Sequence, residues 1–172
     1  MSGSKKRFYY TVAKYLHWIA GFLIAFNLLS GWKIDGFPLA ERQVLIIIHS
    51  GIGTVICILM LVRWWWRKAH DLYTPTRWWK RPSMLLQWIF YPLVLVQVAI
   101  GVMLAAFIDY DVLAFGFIPY SALAANNEGL HQLLLQLHGL TALVLILLII
   151  VHGIERGRMA FMDDGHLMKQ NV

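Results

Sequence analysis

The sequence predicts an all-α integral membrane four-helix bundle, one domain over residues 1–172 with both termini cytoplasmic. Three observations predict it. The chain is 59% hydrophobic and 14% charged, with a mean hydropathy of +0.61, values that belong to the membrane class. Four apolar runs reach the roughly 20 residues that cross a bilayer at about 1.5 Å per residue. Lys and Arg are concentrated outside those runs, on one side of the bilayer they imply.

Residues 1–14 are polar and basic, carrying Lys5, Lys6, Arg7 and Lys14. The first span covers about 15–32. A basic start before an apolar run has the outline of a signal peptide, but no small-x-small cleavage site follows and the run carries His17 and Asn27. It reads as a retained first helix. KIDGFPLAER leads to the second span, about 44–62. The stretch RWWWRKAHDLYTPTRWWKRP is expected to be an interfacial loop, with Trp64, Trp65, Trp66, Trp78 and Trp79 as an aromatic belt. The third span covers about 84–108, with Pro92 a point of expected bending. The connection over 109–132 contains AFGFIP, too apolar for a solvated loop, and is expected to lie over the outer end of the bundle as a functional or sealing segment. The fourth span, about 133–154, is followed by a polar tail.

Four crossings return the termini to one side. That side holds 13 Lys and Arg against the acids Asp71, Glu155, Asp163 and Asp164. The other holds Lys33 and Arg42 against Asp35, Glu41, Asp109, Asp111 and Glu128. The positive-inside rule places the termini in the cytoplasm, so the +6 net charge reads as topology and not as nucleic-acid binding. A single Cys57 excludes an internal disulfide and any Cys-rich metal site.

Imidazoles inside a bilayer are costly and face the bundle interior with a partner. His138 and His152 lie 14 residues apart on the fourth span, which returns them to within about 40° of one face and separates them by about 21 Å. His17 begins the first span, at the cytoplasmic level. His49 lies near the outer end of the second. Depth therefore pairs His17 with His152 and His49 with His138, each pair from two helices, as a flat cofactor held within a bundle requires. Gly21, Gly53 and Ala142 each follow a histidine by four residues and leave room on the same face. Arg42 precedes His49 by seven residues and Arg63 follows it by 14. Both share its face and are candidate partners for a carboxylate tail, with interfacial snorkelling as the alternative.

Zinc would draw its four ligands together, whereas these imidazoles fall on two levels. Two sites of two imidazoles suit haem, and without a CxxCH motif the haem is of b type. Iron with both axial positions filled leaves electron transfer as the default chemistry. A proton-relay transporter would also use intramembrane histidine, but would normally add Asp or Glu within the spans, which this chain lacks.

YLHW at 15–18, ERQVLIIIHSGIG at 41–53, VRWWWR at 62–67, LAFGFIPY at 113–120 and the pair His138 and His152 resemble the bacterial cytochrome b561 family of small di-haem membrane proteins over nearly the whole chain. The resemblance implies two haem b groups ligated by His17, His49, His138 and His152. It is greatest to the superoxide oxidase type, which takes electrons from superoxide at the outer face and passes them to ubiquinone. On that basis the chain is expected in the bacterial inner membrane as a superoxide:ubiquinone oxidoreductase, with Arg42 placed to attract an anionic radical. The alternative is a non-catalytic electron-transfer subunit serving a periplasmic dehydrogenase or hydrogenase. The quinone is expected at the cytoplasmic ends near Arg63 and His17. His131 is expected to be a surface histidine, with a propionate bond or proton relay as its alternative, and His70 and His166 to be solvated. Gln87 and Gln97 are open between bonding neighbouring helices and meeting a quinone.

Overall fold

A computed structural model of the chain describes residues 3–32, 34–70, 72, 82–108 and 111–169. The expected loop tryptophans Trp78 and Trp79 lie outside the described residues, as does the side chain of His166. Apolar segments with no water to bond satisfy their backbone internally, and four long helices result: α1 (Gly3–Gly31), α2 (Leu39–Ala69), α3 (Pro82–Ala106) and α4 (Glu128–Lys169). All four contain stretches long and apolar enough to cross a membrane.

The helices outrun the expected spans at their polar ends. Residues 3–14 belong to α1, and RWWWRKA continues α2 to Ala69 where a loop was expected. Arg, Lys and Trp do not oppose helix; they stop the chain from being buried in hydrocarbon, which is a different property. α4, at 42 residues, is about 63 Å long, twice the hydrocarbon thickness. Its first turn is capped by Asn127, whose Oδ1 accepts from Leu130 N at 3.0 Å, a favoured N-cap arrangement. The connection before it is therefore shorter than expected.

The helices pack as two hairpins. α1 lies along α2 and α3 along α4, with α2 also touching α3, while among the described residues α4 stands off from α1 and α2. The core, Ala20, Ile56, Met60, Tyr91, Val94 and Leu145, sits at mid-depth. Leu145 is seven residues from both His138 and His152 and 1% exposed. Outside, the pattern is inverted relative to a soluble protein: Phe22 is 70% and Ile154 64% exposed, as surfaces facing acyl chains should be.

Between α3 and α4 the segment LAFGFIP forms a two-stranded antiparallel hairpin, β1 (Leu113–Ala114) and β2 (Ile118–Pro119), in register Leu113 with Pro119 and Ala114 with Ile118. Its turn places Phe115 at φ 56° and Gly116 at φ 80°, a backbone region that glycine accepts freely and phenylalanine rarely. The Phe115 ring lies against α2 at Gly51, where a Cβ would come within 2.9 Å of it. Val112 and Ala114 are fully buried, and the Tyr120 hydroxyl bonds Thr54 Oγ1 on α2 at 2.5 Å. The hairpin is a lid fastened to the bundle.

Candidate haem-binding sites

Each expected histidine pair is brought together across the gap between the two hairpins. His17 of α1 faces His152 of α4 with ring centroids 6.1 Å apart and planes at 79°. His49 of α2 faces His138 of α4 at 6.2 Å and 72°. These levels are called inner and outer here, after the charge asymmetry. The spacing tests what the pairs can hold. Two metal–imidazole bonds of about 2.0 Å place the nitrogens about 4 Å apart and the ring centres about 6 Å apart. Both pairs meet that requirement. Nδ1 of His49, His138 and His152 is buried and meets no partner in hydrogen-bond geometry among the described residues. No group of three or more His, Cys, Asp or Glu side chains forms a metal-binding cluster among the described residues.

A cavity of about 450 Å³ surrounds the outer pair, lined by all four helices and by Val112 and Tyr120 of the lid. Its volume falls in the range of cofactor sites. Gly53 and Ala142 line it as their spacing anticipated, and Arg42 stands in its wall. A Cβ added to Gly21, beside the inner pair, would meet nothing within 4 Å, so that face is also open.

Two glycines of the outer site escaped sequence reasoning because each serves a histidine on another helix. A Cβ on Gly31 of α1 would lie 2.8 Å from His49 Cε1, and one on Gly101 of α3 would lie 3.0 Å from His138 Cε1. Each outer imidazole is thus backed by a bare stretch of backbone. Gln97, buried in α3, donates from Nε2 to the His138 carbonyl at 3.1 Å and accepts from Thr141 Oγ1. It ties α3 to α4 at the level of the ligand. Gln87 likewise bonds within the bundle, accepting from Arg67 Nη1 at 3.0 Å.

At the inner level Phe90 packs edge-on to His152 at 6.0 Å. Arg63 and Arg156 lie close enough to act electrostatically on both His17 and His152, and the Arg63 guanidinium stands 5.3 Å over the Tyr91 ring. Two minor histidines are placed differently from expectation. His131 lines the outer cavity, half-buried. His70 is packed between Tyr9 and Trp66 at 4.0 and 4.2 Å and donates from Nδ1 to the Trp66 carbonyl.

An apolar four-helix bundle with imidazoles opposed across the gap between its hairpins defines a class of protein, one that holds planar cofactors among membrane helices. The family model for prokaryotic cytochrome b561 matches residues 9–163, and the chain belongs to that family. No curated protein sequence matches it. It is a multi-pass bacterial membrane cytochrome of b type, with haem b as its cofactor and electron transfer as its role.

Proposed function

We propose that the chain forms one domain holding two haem b groups, the outer between His49 and His138 and the inner between His17 and His152, and that it carries electrons across the bacterial inner membrane from an outer one-electron donor to ubiquinone. The observation that carries this reading is the pair of imidazole couples, 6.1 and 6.2 Å across, on two levels about 21 Å apart along α4. When bound, haem supplies a reversible one-electron carrier at each level. The termini are cytoplasmic on the charge asymmetry.

The protein's own residues do the rest. The opposed histidine pairs would hold each haem between two imidazoles, leaving one-electron exchange as the chemistry it would supply. Arg42, in the wall of the outer cavity, presents a fixed positive charge to an anionic donor or a carboxylate tail. Arg63, near the inner histidines, is a carboxylate partner at the other level, and the adjoining end near His17 is where a quinone head group would sit. The donor that fits best is superoxide, small and anionic. Two superoxide ions give up one electron each to become oxygen, while one quinone takes two electrons and two protons to become quinol.

The second reading is an electron-transfer subunit served by a docked oxidoreductase. The observation favouring it is the acidic outer side, with five acids against two bases, which does not gather anions over any distance. Purified protein with quinone separates the two. Superoxide consumption well above spontaneous dismutation, with reduced haem in the spectrum, supports the oxidase. Haems that superoxide does not reduce leave the subunit. Absence of a Soret band would overturn both.

A further inference from the structure

His131 lines the outer cavity together with His49, His138 and Arg42. It precedes His138 by seven residues, as Arg42 precedes His49 by seven, so the two stand two turns beyond the ligands on the corresponding faces of α4 and α2. The His131 ring is held: its Nδ1 lies 3.2 Å from the Leu104 carbonyl on α3. A carbonyl only accepts, so Nδ1 carries the hydrogen and Nε2 is the nitrogen whose proton comes and goes. Neutral, the ring offers the cavity a lone pair. Protonated, it offers a second N–H and a positive charge.

The other titratable or charged groups among the described residues that line the cavity are committed. Arg42 of α2 keeps its charge throughout. His49 and His138 are the proposed iron ligands. Tyr120 of the lid is bonded to Thr54, and the cavity-lining residues of α1 and α3 include no acid or base. Glu128, three residues before His131, is exposed and bonded by Gln132 Nε2. An electron arriving at the outer centre adds negative charge to a poorly solvated site, where charge interactions are strong. Among the described residues that line the cavity, His131 is the one that can answer it with a proton without surrendering a ligand or a bond.

We infer that His131 is the proton-linked residue of the outer centre, taking up a proton at Nε2 as that centre is reduced and releasing it on oxidation. This rests on the outer site proposed above. The coupling gives the reduced state the extra proton, so the potential of the outer centre falls as pH rises. At full coupling, a tenfold fall in proton activity corresponds to about 59 mV for a one-electron couple.

The test is a spectroscopic redox titration of the purified holoprotein at several pH values from 5 to 8. In the unsubstituted protein one haem component should show the pH dependence. His131→Gln and His131→Asn, neither of which takes up a proton in this range, should abolish it while leaving haem content and the optical bands unchanged. A pH-independent potential in the unsubstituted protein would overturn the inference by itself, as would a dependence that survives in either variant. Haem missing at the outer level in the unsubstituted protein would instead overturn the site on which the inference stands.

Discussion

Gly31 offers the most demanding test of the outer site, because local propensity and tertiary packing give opposite expectations there. Helix propensity alone favours Gly31→Ala by up to about 1 kcal/mol. The added Cβ, however, would lie 2.8 Å from His49 Cε1 and 3.4 Å from Nδ1. Ordinary carbon contacts run about 3.5–4.0 Å, so the ring or the end of α1 must retreat by about 0.7–1.2 Å. Metal–ligand distances tolerate about 0.2 Å, several times less than that retreat. The expected outcome is outer haem retained on the order of 10- to 100-fold less well, the range seen when the surroundings of a metal ligand are disturbed. The haem-to-protein ratio and the low-temperature EPR signals of the purified protein measure it. Gly157→Ala, whose Cβ meets nothing within 4 Å, is the control and should leave both unchanged. A Gly31→Ala protein with an unaltered ratio and unaltered signals would show that His49 does not depend on that gap.

Three further outcomes follow from the same geometry. His138→Ala should remove the outer haem and spare the inner one, read as roughly half the haem per protein; an unchanged content would mean the couples are wrongly paired. Gln97→Leu removes the bonds that Thr141 and the His138 carbonyl make to α3, and interhelical bonds of this kind contribute about 0.6–1.7 kcal/mol in membrane bundles. Thermal unfolding should fall by a few degrees, and an unshifted midpoint would deny the tie between α3 and α4. Tyr120→Phe removes the lid's bond to Thr54, worth about 1 kcal/mol. Hydrogen exchange should rise over residues 111–123 while the helices stay protected, and exchange unchanged in the lid would show that Phe115 and the buried Val112 and Ala114 hold it alone.

Arithmetic along the chain reached the four helices and the pairing of the histidines. A helix rises by a fixed amount per residue, so once the spans are threaded through a slab, each histidine's level is determined before any contact is known. The same arithmetic misjudged where the helices end. Hydropathy reports burial in hydrocarbon, and RWWWRKA is polar yet helical. Which backbone lies behind which ring was decided only by the tertiary structure. Gly31 and Gly101 are unremarkable in their own helices and become cradles only because α2 and α4 bring imidazoles against them. The folding of AFGFIP into a fastened lid and the turning of His131 into the cavity have the same origin. Periodicity fixes position along and around one helix, whereas the distance between two helices depends on side chains of both. The sequence by itself therefore determined the levels at which iron could be held, and packing alone decided what surrounds it.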